Sequence, residues 1–254
     1  MILSNALVLL ASAAGVLSAP AGGACPAPKP TPTLPSTGAA TQLTNPPSDL
    51  KLKHIALGFG IQNYTCTTVG SPSNATGALA MLYDVLPLYP GQGPQSLSAD
   101  DFAALPGKVL NGMDVPLNFD PSTEGRADPE HLGATTDSDP FTADAPLQVD
   151  GLDEPLRFIG HHFFNAAGVP TFVLDGGDIT LFSKKDEGIP APVDADAGPD
   201  GTGAVAWLKL SDKGGSEGAS LVYRVFTAGG TSHGCGKGVG GDSTSYTATY
   251  WFYG

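Results

Sequence analysis

Two adjacent histidines, His161 and His162, are the side chains in this sequence best suited to acid–base chemistry. Neighbouring residues of a strand point to opposite faces, so the two imidazoles cannot both bind one metal ion without a bulge. We expect one ring to pack in the core and the other to face solvent or a cleft. Asp175 joins this candidate ligand site if the fold brings its turn alongside, and His54 or His233 are further candidates.

Aromatic residues near the C-terminus are candidates for a second kind of site, a platform on which sugar rings stack. Trp251 and Tyr253 alternate with Tyr250 and Phe252, so the two sets face opposite sides of a strand. One set must face the core. Core packing of these rings is the default interpretation, and Trp251 and Tyr253, or their neighbours, are the candidates for an exposed set.

Three short stretches match known site motifs, but none has the surroundings that its chemistry needs. Residues 236–241 (GKGVGG) spell a dinucleotide-binding fingerprint, yet a strand follows where a helix must hold the pyrophosphate. Residues 214–218 (GGSEG) match a nucleophile elbow without its helix or its acid partner. Residues 194–201 (DADAGPDG) have the spacing of half a calcium loop and lack the bidentate glutamate. The sequence therefore predicts no cofactor and no metal site.

The cysteines and two glycosylation sequons indicate the secretory route. A secreted chain with three cysteines is expected to form one disulfide and to leave one odd thiol. Cys66–Cys235 is the favoured pair because each residue ends a predicted central strand, and pairing of Cys25 with either one is the alternative. Asn63 and Asn74 each begin an Asn-X-Thr triplet, which predicts N-linked glycans.

The sequence predicts that these residues are positioned by short β-strands. The 34 glycines and 23 prolines favour many turns over long helices. Residues 175–178 (DGGD) and the glycines near residue 240 predict hairpin turns, and residues 85–156 predict mostly acidic loop. The fold class is all-β, an antiparallel β-sandwich or a partly closed barrel with long acidic loops. The predicted strands are residues 52–66, 79–84, 157–164, 170–174, 179–182, 204–210, 221–227 and 246–253.

Charge and N-terminal composition bear on partners and compartment. The formal net charge of −13 and the pI near 4.5 argue against nucleic-acid binding, which needs a basic surface. Residues 1–19 are apolar and end in small residues, which predicts a signal peptide, with a transmembrane anchor as the alternative. Residues 20–50 predict a disordered Pro/Thr-rich lead-in, and residues 51–254 a single all-β domain. We expect a secreted protein with no membrane span after signal removal.

Six blocks of the chain carry a resemblance to a known family: residues 57–66 (LGFGIQNYTC), 160–164 (GHHFF), 170–172 (PTF), 207–210 (WLKL), 223–230 (YRVFTAGG) and 246–253 (YTATYWFY). In this order they resemble a family of secreted fungal domains of unknown function, the domain of unknown function 3455. The resemblance runs from about residue 52 to the C-terminus. Members are often labelled malate dehydrogenase, but the resemblance implies no catalytic residues, and the strand after residues 236–241 argues against NAD chemistry.

The sequence thus favours a secreted binding or structural module at the cell surface or cell wall. Its expected partner is a wall glycan or a small molecule. The alternative is a secreted enzyme with a histidine–carboxylate cleft near His161 or His162. An NAD-dependent dehydrogenase is the least favoured interpretation.

Overall fold

The main element of the protein is a barrel of eight antiparallel strands. A computed structural model describes residues 28–119 and 136–254. The elements in chain order are β1 (Leu52–Cys66), β2 (Asn74–Asp84), α1 (Ala99–Gly112), β3 (Leu117–Phe119), β4 (Thr136–Phe141), β5 (Phe158–Phe164), β6 (Pro170–Leu174), β7 (Ile179–Ile189), β8 (Trp207–Asp212), β9 (Leu221–Gly229) and β10 (Gly240–Tyr253), with single 3₁₀ turns at Leu86–Leu88 and Asp175–Gly177.

The strand order around the barrel is β1-β10-β9-β8-β7-β6-β5-β2, and β2 pairs with β1 to close it. β1 and β10 pair along their full length, from Leu52 with Tyr253 to Cys66 with Gly240. β3 and β4 form a separate two-stranded sheet. The all-β prediction is confirmed, with the strands forming a closed barrel. Closure also satisfies the backbone groups that an open sheet leaves at its edges.

The barrel lumen is filled because large side chains pack against small residues on the facing strands. The inward positions of β1 include Ala56, Gly58 and Gly60. A Cβ atom at Gly58 would come within 2.5 Å of the Tyr250 ring, and one at Gly60 would overlap the Leu79 carbonyl oxygen. The glycines of β1 therefore allow the close approach that their alternation predicts. Other lumen residues are His162, Phe172, Leu181, Val222, Arg224, Tyr246 and Phe252.

A second core lies outside the barrel, where α1 and the long loops cover the outer faces of β1, β9 and β10. Ile55, Leu57 and Phe59 of β1 are fully buried in this layer, as are Tyr223 of β9 and Trp251 of β10. The central strands are consequently buried on both faces. This explains why their sequences contain few exposed polar positions.

The helix α1 is an element that the sequence does not predict within residues 85–156, a region expected to be mostly loop. Ser98 caps it, because its Oγ accepts a hydrogen bond from the Asp101 N–H at 3.1 Å. Buried residues follow at i, i+3, i+7 and i+8 from Phe102, which is helical spacing. Pro106 conceals this pattern in the sequence, since proline usually ends a helix. Its carbonyl accepts a hydrogen bond from Thr247 Oγ1 at 2.6 Å, which ties α1 to β10.

The predicted disulfide Cys66–Cys235 is confirmed. Its Cα atoms lie 5.3 Å apart, and it joins the end of β1 to the β9–β10 connection. Cys25 and residues 1–19 lie outside the described residues. Within the described ranges, no helix is both long enough and apolar enough to cross a membrane.

Residues 28–50, predicted to belong to a disordered lead-in, contain no strand or helix and contact the domain at several points. Leu43 is buried in the outer core. The Thr44 N–H donates to Glu187 Oε2 at 2.8 Å, and its carbonyl accepts from the Tyr223 hydroxyl at 2.7 Å. This segment therefore lies against β7 and β9.

Candidate functional site

His162 lies inside the barrel and is part of the core. Its ring stacks on Phe172, with centroids 4.0 Å apart and planes 8° from parallel. The Thr171 carbonyl oxygen lies 2.9 Å from Nδ1, and a carbonyl only accepts, so Nδ1 carries the hydrogen. Burial lowers the pKa of His162 to about 4, more than the Thr171 bond raises it, and the Arg224 charge lowers it further. His162 is therefore neutral and enclosed.

His161 lies on the outer face of β5 and is half-buried among aromatic rings. Its ring centroid lies 4.2 Å from that of Phe141 and 5.0 Å from that of Phe158, and Phe163 meets Phe141 edge-on at 6.4 Å. All three phenylalanines are partly exposed. Together with Asp144, which pairs with His161, these residues form a surface that we call the β5 patch.

The His161–Asp144 pair is the polar part of the β5 patch. His161 Nε2 lies 3.2 Å from Asp144 Oδ1, and the Asp144 side chain is 58% exposed. Burial lowers the pKa of His161, while the Asp144 charge and hydrogen bond act in the opposite direction. The pair presents hydrogen-bonding groups directly beside apolar ring faces.

A bulge in β5 brings Phe158 to this patch, which strict alternation does not predict. A period of two places Phe158 and His161 on opposite faces. The register between β2 and β5 shifts between Leu82 and Tyr83, so that Tyr83 pairs with Phe158. Ile159 consequently packs in the lumen, and Phe158 lies beside His161.

Asp175 lies at the barrel end where β1 begins, and it pairs with His54 rather than with the β5 histidines. His54 Nε2 lies 2.8 Å from Asp175 Oδ2, and Arg157 bridges Asp175 at 3.6 Å and Asp84 at 3.1 Å. The backbone of Asp175 has a φ of 51°, in the left-handed region that costs a non-glycine residue about 1–2 kcal/mol. These contacts hold the ends of β1, β2 and β6 together.

A cleft of about 400 Å³ opens beside Asp84 and Arg157. Its polar lining also includes Gln95, Ser96, Asp153 and Glu154, and the remaining lining residues are leucines, prolines and Gly151. Its volume falls within the range of roughly 300–1,000 Å³ that small-molecule sites occupy. The segment that follows β4 contributes both to the cleft and to the β5 patch.

Trp251 and Tyr253 are buried, so these two candidate residues pack in the core and form no exposed platform. The Trp251 ring meets Tyr89 edge-on at 5.6 Å, and its Nε1 donates to Thr249 Oγ1 at 3.1 Å. Tyr253 packs edge-on against Tyr223 at 5.8 Å. The outer layer covers this face of β10, and Tyr250 and Phe252 on the opposite face fill the lumen. Neither set is available to a sugar.

His233 and Asp242 form a further polar cluster, at the end of the barrel where β10 begins. Asp242 Oδ1 lies 2.8 Å from His233 Nδ1, and Asp242 Oδ2 accepts from Ser232 Oγ at 2.6 Å. These bonds anchor the connection between β9 and β10 next to Cys235. The cluster contains none of the residues of the β5 patch.

The three motif-like stretches serve structural purposes in the described chain. Residues 236–241 run from the β9–β10 connection into the first two residues of β10, which is antiparallel to β9. Ser216 donates to Asp212 Oδ1 at 2.5 Å, and Asp196 Oδ2 accepts from Asn111 at 2.8 Å. Among the described residues, no group of three or more histidines, cysteines and acids is arranged to hold a metal ion.

Residues 46–254 match the family model described as Protein of unknown function (DUF3455). The chain belongs to this family. No curated protein and no solved structure matches the chain. The matched residues include all eight strands of the barrel and the helix α1, so the family is defined over the whole domain. Family membership leaves the activity open, and the geometry of the sites carries the functional argument.

Proposed function

We propose that this DUF3455 protein is a secreted binding module that holds a cell-surface or cell-wall carbohydrate on the β5 patch. The observation that carries the proposal is the set of three partly exposed phenylalanine rings around the His161–Asp144 pair. Large aromatic side chains are usually buried, and their exposure beside polar groups is typical of a binding surface.

The chemistry of the β5 patch suits a sugar ring. The C–H face of a pyranose packs on aromatic carbon, while its hydroxyl groups donate to a carboxylate or accept from an imidazole N–H. Phe141 and Phe163 supply the apolar surface, and Asp144 and His161 supply the polar rim. The neighbouring cleft offers room for a further sugar unit.

Secretion is supported by features elsewhere in the chain. The Cys66–Cys235 bond is compatible with an oxidising compartment, where disulfides persist. Asn74 opens a sequon on exposed residues. Residues 1–19 have the composition of a signal peptide.

Binding to polysaccharides tests the proposal. The full chain is incubated with insoluble glucan, chitin and cellulose, and its affinity for soluble fragments of the retained polymer is measured by calorimetry. Loss of one stacking ring costs about 0.5–1.5 kcal/mol, so Phe163→Ala is expected to weaken binding by up to about tenfold. Asp144→Asn weakens it through the lost acceptor charge.

Phe182→Ala is the matched control, because Phe182 is also a half-buried phenylalanine but lies on β7, outside the β5 patch. It is expected to bind as the wild type does. Retention on none of the polymers, or equal losses in Phe163→Ala and Phe182→Ala, would overturn the proposal.

A second candidate is a secreted enzyme that uses His161 as an acid–base group. The observation that favours it is the 3.2 Å contact with Asp144, since a carboxylate orients a catalytic imidazole. His161→Gln should then abolish turnover of chromogenic glycosides and esters while leaving thermal stability similar. Equal turnover in wild type and variant, or no turnover at all, removes this candidate.

A further inference from the structure

Two threonines of the segment before β1 lie on the solvent side of an extended stretch. Residues 30–35 (PTPTLP) contain no strand or helix. Thr31 and Thr33 are exposed, whereas Pro32 and Leu34 are half-buried, and Leu34 packs against the outer core. Residues two apart in an extended chain lie on the same side. The alternation therefore places the apolar residues against the domain and both threonine side chains towards solvent.

Prolines and hydrogen bonds from the domain hold residues 30–35 in this arrangement. Proline fixes its own φ and disfavours helical conformation in the residue before it. The Pro30 carbonyl oxygen accepts from Gln92 Nε2 at 2.6 Å, and the Thr33 N–H donates to the Tyr89 hydroxyl at 3.2 Å. The backbone is thus attached to the domain through groups other than the threonine hydroxyls.

The hydroxyl groups of Thr31 and Thr33 have no hydrogen-bond partner within the part of the chain that the structure describes. Other hydroxyls of the chain are engaged, as in Ser71 and Thr142, whose Oγ and Oγ1 donate to backbone carbonyls at 2.7 and 3.0 Å. A free hydroxyl on an extended, exposed segment is accessible to a modifying enzyme. Serines and threonines among prolines in secreted chains are typical acceptors of O-linked sugars.

We propose that Thr31 and Thr33 are sites of O-linked glycosylation, an inference that rests on the proposed secretion of the chain. In the transfer, the threonine Oγ1 attacks the anomeric carbon of a sugar that is joined to a phosphate leaving group. The bond between that carbon and the phosphate oxygen breaks, and the hydroxyl proton passes to a base of the transferase. Each sugar then stands on the solvent side of the segment, so the contacts with Tyr89 and Gln92 are retained.

Thr44 is an exposed threonine of the same segment that we expect to stay unmodified. Its N–H donates to Glu187 Oε2 at 2.8 Å, and its carbonyl oxygen accepts from the Tyr223 hydroxyl at 2.7 Å. Leu43, which precedes it, is buried in the outer core. A transferase that binds the backbone around Thr44 must break these contacts, which makes this residue the matched control.

Mass spectrometry of the secreted full chain tests the proposal. The chain is expressed in a eukaryotic host that attaches O-linked sugars, and its N-linked glycans are removed enzymatically first. We expect mass increments of whole sugar units on the peptide that contains residues 30–44, located at Thr31 and Thr33. Replacing both by valine should remove every increment from this peptide, and Thr44→Val should retain them. Unchanged unfolding temperatures in both variants are expected, since the three hydroxyls make no internal hydrogen bond.

A second version, with the host's own signal peptide in place of residues 1–19, separates the modification from the export of the chain. If only this version is secreted, the signal-peptide expectation fails, and the threonines are examined in the exported protein. The proposal is overturned if the secreted protein carries no O-linked sugar on residues 30–35. It is also overturned if the double valine variant keeps the increments, or if Thr44→Val loses them.

Discussion

His162 shows at the residue scale how burial determines the chemistry of a side chain. The sequence places it next to His161 as an equal candidate for acid–base work, but it is enclosed between Phe172 and the Thr171 carbonyl. Burial moves its pKa from 6.5 to about 4. The unfolded chain therefore binds a proton more readily than the folded chain, and acid favours unfolding.

The first prediction concerns this pH dependence. Because of His162, the free energy of unfolding is about 3 kcal/mol higher above pH 6.5 than it is near pH 4, and the difference is lost as the pH falls between these values. His162→Asn keeps an N–H donor for Thr171 but does not titrate, so its free energy of unfolding should change less between pH 7 and pH 4.5. Urea unfolding of both proteins at the two pH values checks this. Parallel decreases in the two proteins would contradict it.

The two sequons differ in the folded chain. Asn74 is exposed at the start of β2, and the next two residues of its sequon are exposed as well. Asn63 lies within β1 between β10 and β2, and its Oδ1 accepts from Ser243 Oγ at 2.7 Å. A glycan on Asn63 would have to leave the strand at a half-buried position.

We predict that the protein secreted by a glycosylating host carries a glycan on Asn74 and none on Asn63. Peptide mapping by mass spectrometry, before and after glycosidase treatment, measures occupancy at each asparagine. Asn74→Gln should remove the whole mass difference. A glycan found on Asn63, or an unmodified Asn74, contradicts the prediction.

At the scale of elements, the glycines of β1 set how closely the strands approach. Gly60 has no room for a side chain, because a Cβ atom would overlap the Leu79 backbone. Gly60→Ala is therefore expected to destabilise the barrel by about 1–3 kcal/mol, the usual range for overpacking.

Gly236 provides the control, because it lies in the β9–β10 connection with nothing within 4 Å of an added Cβ. Gly236→Ala should stay within about 0.5 kcal/mol of wild type in urea unfolding. Similar losses in both would refute this account.

The elements that were hardest to predict are those in which a local rule is broken. Pro106 lies within α1, and a helix with an internal proline does not follow from propensity. The bulge at Ile159 reverses the face of Phe158, and only the pairing with β2 reveals it. The β5 patch was therefore only partly predictable. His161 was identified from its residue type, but its phenylalanine neighbours were not.

At the scale of the whole molecule, the disulfide closes a loop that contains most of the barrel. Cys66 and Cys235 are 169 residues apart in the chain, yet they lie on adjoining segments of the closed barrel. In the chain-entropy model a bond across so long a loop strongly restricts the unfolded state.

Replacing both cysteines by alanine is expected to lower the free energy of unfolding by about 2–5 kcal/mol. The β1–β10 pairing is independent of this bond, so the variant should retain β-rich circular dichroism. The wild type in excess reductant serves as a control and should match the variant in urea unfolding. Unchanged stability in the variant would show that the bond contributes little.

The sequence by itself predicted the all-β class, the approximate positions of the eight barrel strands and the favoured disulfide pair, but not β3 or β4. These follow from local properties, namely β-propensity, alternation and turn chemistry, which act within a few residues. Only the tertiary structure decided which faces are covered. The outer layer buries Trp251 and Tyr253, and closure pairs His54 with Asp175 and directs Arg224 into the lumen. A strand pattern shows that two faces exist, but the environment of each depends on segments distant in the chain that pack against it.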